Sequence, residues 1–134
     1  GRSMKNDQEL LAGLKDATNG LLFMSESDYP IEIVSWDVAI TPELLRQKAA
    51  AAADAPVEEQ SLADFFGVVA GEQEWKNESQ LATAKKYQAL VQLLNDNLEG
   101  IRVYRIGRIN MAVYVVGKSG SGKSIGVSTR IVET

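Results

Sequence analysis

The chain of 134 residues carries a formal net charge of −4 and contains neither cysteine nor histidine. Disulfides and thiolate chemistry are therefore excluded, as are the histidines that commonly serve as general bases and zinc ligands. An acidic surface repels nucleic acid and anionic membranes, and it favours a basic protein partner. The length suits one domain with a hydrophobic core of its own.

The N-terminal segment predicts a helix, a loop and a strand. Asn6 and Glu9 stand in the spacing of a capping box, and the leucines behind them recur every three or four residues. This pattern predicts an amphipathic helix that ends near Gly20. The segment LLFMSESDYP at 21–30 is typical of a loop, and IEIVSW at 31–36, in which apolar and polar residues alternate, predicts a strand.

The middle of the chain predicts two shorter helices. Thr41 as N-cap and Pro42 at the first helical position begin one of them, in TPELLRQKAAAAADAP. The alanine run of that segment is either a frayed helical end or a linker, because it lacks bulky anchors. The segment SLADFFGVVAG predicts a second short helix, capped by Ser61.

The C-terminal part predicts one long helix and three strands. Asn77 and Gln80 form a second capping-box pattern, and Gly100 is expected to end the helix. The apolar stripe of this helix comprises Leu81, Ala84, Tyr87, Val91, Leu94 and Leu98. The remaining residues are β-branched and aromatic, which predicts three antiparallel strands with turns at Gly107 and at 117–124.

Together these elements predict an α+β fold, an α/β/α sandwich in which a mainly antiparallel sheet of about four strands is covered by helices. Residues 1–3 precede Met4 and resemble a remnant of an expression vector, which leaves residues 4–134 as a single domain. The N-terminus carries no apolar signal region and the apolar runs are too short to span a bilayer. We therefore expect a cytoplasmic protein without membrane contact.

The segment GKSGSGKS at 117–124 matches the phosphate-binding loop G-x-x-x-x-G-K-[ST] letter by letter. In nucleotide hydrolases that loop joins a strand to a helix, whose N-terminal amides converge on the phosphates. Here MAVYVV before the loop suits a strand, but IGVSTRIVET after it predicts another strand. We interpret the loop as a hairpin turn, and nucleotide binding through Gly122, Lys123 and Ser124 is the less favoured alternative.

Two other charged groups have a possible functional interpretation. The cations of the C-terminal segment, interleaved with Tyr104 and Tyr114, could line a nucleic-acid surface; they are Arg102, Arg105, Arg108, Lys118, Lys123 and Arg130. The acidic domain and the lack of a base-stacking motif favour a solvated sheet face instead. The carboxylates Glu26, Asp28, Glu32 and Asp37 lack a third ligand at diagnostic spacing, so surface acids are favoured over a metal site.

Trp75 lies in a polar segment, GEQEWKNE. A tryptophan in such a connection commonly folds back into the core. Exposed tryptophan is also strongly enriched in the residues that dominate binding energy. The local sequence leaves both interpretations open.

Three stretches together resemble the nuclease A inhibitor family, whose members block a sugar-non-specific DNA/RNA endonuclease. They are GLLFMSESDYP at 20–30, EQEW at 72–75 and GVSTRIVET at 126–134. The resemblance extends to the helix order and to the spacing VYRIG…VYVVG, and it leaves out residues 38–60.

The resemblance implies an α/β/α sandwich that occupies the active site of the nuclease and is itself no enzyme. Thr134 would reach the catalytic magnesium ion of the nuclease in the complex, and Glu26 would contact basic residues. Gln73 and Trp75 would complete the interface. We accordingly expect a monomer without a cofactor of its own, which binds the endonuclease one-to-one and does not bind nucleic acid. The alternative is an interaction module of the same fold with a different protein partner.

Overall fold

A computed structural model describes residues 6–19, 22–23, 29–62, 78–108 and 110–132. Three helices lie in this part of the chain, α1 (Asp7–Thr18), α2 (Pro42–Lys48) and α3 (Glu78–Asn97). The strands are β1 (Leu22–Phe23), β2 (Tyr29–Pro30), β3 (Glu32–Trp36), β4 (Val57–Gln60), β5 (Glu99–Ile106), β6 (Asn110–Lys118) and β7 (Ser124–Val132). Within these residues, no helix combines the length and apolarity needed to cross a bilayer.

The strands form a five-stranded sheet in the order β3-β7-β6-β5-β4, and every neighbouring pair is antiparallel. β1 and β2 pair with each other as a separate short hairpin. The α+β class and the meander of β5, β6 and β7 are confirmed. The expected sheet of about four strands is corrected to five.

The additional strand is β4, which the sequence pattern did not predict. Its four residues, VEEQ, include one apolar side chain, so the segment has no hydrophobic alternation of its own. Its pairing with β5, from Val57 opposite Ile106 to Gln60 opposite Val103, determines its conformation. An edge strand of this kind is specified by its neighbour, and its two glutamates make it a poor template for further strands.

Helices cover both faces of the sheet. Leu14 of α1, Leu90 of α3 and Val113 of β6 are buried in one cluster of apolar side chains on one face. Leu45 of α2 is buried in a second cluster with Val116 on the other face. Because β6 contributes alternate residues to the two clusters, it reads as a continuous apolar run in the sequence.

α1 and α2 each begin directly after an N-cap residue that the sequence predicts. The Asn6 side chain accepts a hydrogen bond from the Glu9 amide at 2.8 Å, which confirms the N-cap half of the expected capping box. The Glu9 carboxylate accepts from the Asn6 side-chain amide at 2.8 Å, and not from the backbone amide that the motif uses. The Thr41 hydroxyl accepts from the Leu44 amide at 3.1 Å at the start of α2. α2 ends at Lys48, so the alanine run is not helical.

Gly100 does not end α3, contrary to the sequence prediction. The helix stops at Asn97, and Gly100 lies in β5 with a φ of 62°. The pairing of β5 with β6 changes register between Glu99 and Arg102, at the position of this glycine. A position with positive φ favours glycine because glycine has no Cβ, and such positions occur both at helix ends and at irregularities in strands. The two cases therefore look alike in sequence.

The antiparallel register defines two ends of the sheet. We call the end at which β7 terminates the C-terminal end; it carries Val57, Ile106, Asn110 and Val132. The opposite end carries Trp36, Glu99, Lys118 and Ser124.

Candidate functional site

Four contact residues are expected from the family resemblance, and all of them lie outside the described residues. They are Glu26, Gln73, Trp75 and Thr134. These contact residues lie in three segments, and the structure describes the residues next to each segment. These neighbouring residues restrict where each segment is attached to the sandwich. The two alternatives for Trp75, core or surface, accordingly both remain predictions.

The β1–β2 hairpin flanks residues 24–28, which include Glu26. Phe23 pairs with Tyr29, so both ends of this segment are held by adjacent strands. Both strands of the hairpin contact β7. β2 is followed after one residue by β3, whose first residue, Glu32, pairs with Ser128 in the middle of β7. β2 therefore precedes β3 on the side of Ser128 that leads toward Val132. The hairpin is therefore attached at the C-terminal end of the sheet.

β7 leads to the last two residues of the chain. Its final residue, Val132, pairs with Asn110, the first residue of β6. The Arg130 guanidinium donates to the Asn110 side chain at 3.2 Å, which adds a second tie between the same two strands. Thr134 follows Val132 by two residues, so its attachment point is also at the C-terminal end.

α3 follows the segment that contains Gln73 and Trp75. The helix ends at Asn97, next to the first residue of β5 at the opposite end of the sheet. α3 has 20 residues and is about 30 Å long. This is about the length of the nine-residue strands β6 and β7. α3 thus begins, at Glu78, toward the C-terminal end, three residues after Trp75.

The direction of α1 agrees with this assignment. Asp7 at its start accepts a hydrogen bond of 2.5 Å from Ser121 in the β6–β7 turn, at the opposite end. Gly13 lies beside Leu93 of α3, where an added Cβ would be 3.3 Å from the leucine side chain. The two helices are antiparallel neighbours, so α1 ends and α3 begins toward the same end of the sheet.

The described charges at the C-terminal end are mixed. Arg108 in the β5–β6 turn and Glu58 on β4 are exposed, and so is Glu32, which pairs nearer the middle of β7. Arg105 is half-buried at the end of β5. The six cations singled out from the sequence do not form one surface, because Lys118 and Lys123 lie at the opposite end and Arg102 pairs with Glu59 at 3.1 Å.

A cleft of about 270 Å³ opens on the α2 face beside β7. Glu32, Lys48, Tyr114 and Arg130 contribute to its lining. Burial raises the pKa of the Tyr114 hydroxyl, with the Arg130 charge acting in the opposite sense, so this group stays protonated at neutral pH. Sequence analysis did not identify this cleft, because only the strand register brings β3, β6 and β7 together there.

The GKSGSGKS segment is a hairpin turn, as the sequence analysis interpreted it. Lys118 at the end of β6 pairs with Ser124 at the start of β7. The Ser119 amide donates to the Lys123 carbonyl at 2.9 Å, and Gly122 has a φ of 91°. A strand follows the loop where a phosphate-binding loop requires a helix N-terminus, so the nucleotide-binding alternative lacks its structural context.

A comparison with curated proteins gave no match. The family model of nuclease A inhibitor-like proteins, in contrast, matches residues 8–134. This match includes α1 except for Asp7, the β1–β2 hairpin, α3, the five-stranded sheet and the end of the chain. It therefore covers nearly the whole chain. The protein therefore belongs to the nuclease A inhibitor-like family.

Proposed function

We propose that the protein inhibits a sugar-non-specific DNA/RNA endonuclease by covering its active site with the C-terminal end of the sheet. In this proposal Thr134 is directed at the catalytic magnesium ion of the nuclease, and Glu26, Gln73 and Trp75 contact the enzyme around it. The protein itself performs no reaction. The observation that carries the proposal is the family match over residues 8–134.

The attachment points of the three segments support a single docking face. Tyr29 and Glu78 follow Glu26 and Trp75 by three positions, and Val132 precedes Thr134 by two. All three are attached toward the C-terminal end of the sheet, by the register of β3 and β7 and by the direction of α3. Three segments that leave the sandwich at one end can meet one partner surface without rearrangement of the core.

The chemistry of a metal-directed chain end is favourable. Magnesium prefers hard oxygen ligands and keeps exchangeable waters in protein sites, so a carboxylate or hydroxyl oxygen of Thr134 can replace one of them. The magnesium belongs to the nuclease and is met only in the complex. A loop brings two segments of the chain into a cleft, whereas a chain end brings only one. A chain end therefore enters a narrow cleft more easily.

The net charge of −4 supports fast and specific association. A nuclease that binds polyanions has a basic cleft, and an acidic inhibitor is attracted by the same electric field as the nucleic acid. Glu26 would form a charge-assisted hydrogen bond with an arginine or lysine there. Trp75 would supply the large apolar anchor that dominates many interfaces.

The direct test is a titration of nuclease A activity on plasmid DNA in the presence of Mg²⁺. We expect activity to fall linearly and to vanish near one equivalent of the protein, while an unrelated acidic protein of similar size has no effect. Full activity at a several-fold excess would refute inhibition of this nuclease. In that case, a pull-down from a native lysate would identify the different partner of the alternative interaction module.

A further inference from the structure

The β5–β6 turn lies beside the end of β7. Asn110, which follows the turn, pairs with Val132, the last residue of β7. Arg108 precedes Asn110 by two residues and therefore lies beyond the Asn110–Val132 pair, at the end of the sheet where β7 terminates. Gly107 adopts a φ of 109°, which allows the tight reversal at this position.

Several other cations of this region pair with acidic side chains, whereas Arg108 has no such pair among the described residues. Arg102 pairs with Glu59 at 3.1 Å, and Lys123 pairs with Asp37 at 3.3 Å. The Arg108 side chain is exposed and makes no hydrogen bond or ion pair with the described part of the chain. Within the described part of the chain, this guanidinium group therefore has no counter-charge.

A cleft of about 440 Å³ lies next to this guanidinium group. It is lined by Pro56, Glu58, Arg105, Gly107, Arg108 and Met111. The described part of this lining contains two guanidinium groups and one carboxylate, in a protein of net charge −4. Such a site suits one carboxylate, because a guanidinium group matches the two oxygens of a carboxylate in plane. A polyanionic nucleic acid is disfavoured by Glu58 and by the acidic remainder of the molecule.

We propose that Arg108, with Arg105 behind it, receives an aspartate or glutamate side chain of the nuclease at the edge of the interface. This inference rests on the proposed function and adds a second, oppositely charged contact to it. A magnesium-dependent enzyme holds its metal through carboxylates, so acidic groups are expected near the site that the chain end enters.

The two charged contacts lie at different places on the docking face. The hairpin that carries residues 24–28 is attached at β3, and the β5–β6 turn joins the strands that are two and three positions away in the sheet order. At about 4.8 Å per strand this separation is roughly 10–14 Å. A face that is acidic on one side and basic on the other accepts the nuclease in one orientation only, because rotation by half a turn would oppose like charges.

The test compares two charge reversals that change the net charge equally, Arg108→Glu and Lys118→Glu. Lys118 is exposed at the other end of β6, so it serves as the matched control. The association rate with nuclease A is measured at about 20 mM and about 500 mM salt, because screening separates electrostatic from other effects. We expect Arg108→Glu to slow association about fivefold more than Lys118→Glu at low salt, and the two variants to converge at high salt.

Other results would overturn the inference. Equal association rates for the two variants, or faster association of Arg108→Glu, would show that the turn faces no carboxylate. Binding of a fluorescent single-stranded oligonucleotide by the wild-type protein, lost in Arg108→Glu, would assign the turn to nucleic acid instead. If the wild-type protein does not inhibit nuclease A, the proposed function fails and this inference fails with it; if it inhibits but the variants agree, only this inference fails. Unchanged unfolding midpoints establish that both variants are folded.

Discussion

A carboxylate that pairs with a cation of a partner is costly to remove, because the partner's charge is then left desolvated without a counter-charge. If Glu26 has this role, Glu26→Gln should weaken inhibition by roughly 2–5 kcal/mol, or about 30-fold and more. Glu99→Gln is the matched control, since Glu99 is exposed at the opposite end of the sheet. Inhibition constants for nuclease A measure both. Equal constants for the two variants would remove Glu26 from the interface.

Thr134 offers a second test at the residue scale. Deletion of Thr134, or extension of the chain by several residues beyond it, should weaken inhibition by at least about tenfold, as expected for a central contact. The extension retains every native side chain and changes only the position of the terminal carboxylate. Tight inhibition that is indifferent to both changes would contradict a metal-directed chain end.

Gly126 has a structural role in β7 that is independent of inhibition. A Cβ at this position would overlap the carbonyl oxygen of Val115 in β6. Gly126→Ala should therefore lower the free energy of unfolding by at least about 3 kcal/mol, because two backbones must separate. At Gly120 an added Cβ meets no described atom within 4 Å, so Gly120→Ala should be nearly neutral. Denaturant unfolding of the two variants distinguishes these outcomes, and similar stabilities would be inconsistent with the close β6–β7 approach.

At the scale of elements, a pH-dependent contact ties α1 to the β6–β7 turn. The pKa of Asp7 is lowered by hydrogen bonds from Ser121 and Ser119, with a smaller contribution from the charge of Lys123. Since the pKa is lower in the folded than in the unfolded protein, the contact stabilises the fold fully above about pH 4 and is lost as the pH falls through the folded pKa.

Asp7→Asn should lessen the dependence of stability on pH between about pH 2 and about pH 5, because the amide carries no titrating charge. The difference is expected to be small, since the side chain is solvent-accessible and its interactions are screened. Thermal unfolding midpoints of both proteins across this interval measure it. Parallel pH profiles would show that Asp7 makes no charge-dependent contribution.

The elements that could be predicted from sequence are those specified by local chemistry. α1 and α2 begin at Asn6 and Thr41 because a side-chain oxygen accepts from a backbone amide three residues later. β4 could not be predicted in this way, since its stabilising partner, β5, is more than 35 residues further along the chain. Gly100 was misassigned because a positive φ has the same sequence signature in a helix cap and in an irregular strand.

At the scale of the whole molecule, the sequence could not show which chain segments meet at one end of the sheet. β3 pairs with β7 rather than with its sequence neighbours, and this long-range pairing attaches the β1–β2 hairpin beside the end of the chain. The same register separates Arg108 from Lys118, which the sequence presented as parts of one basic region. The identities of Glu26, Gln73, Trp75 and Thr134 as contact residues came from the family resemblance, and they stay predictions.

The most direct test of the C-terminal end as the docking face is an amide NMR footprint of the isotope-labelled protein with unlabelled nuclease A. We expect the signals of residues 24–28, 73–78, 108–110 and 130–134 to shift or broaden together at one equivalent. We expect the signals of the turn at 119–123, at the opposite end, not to change. A footprint centred on that turn or on α2, with the chain end unaffected, would contradict the account.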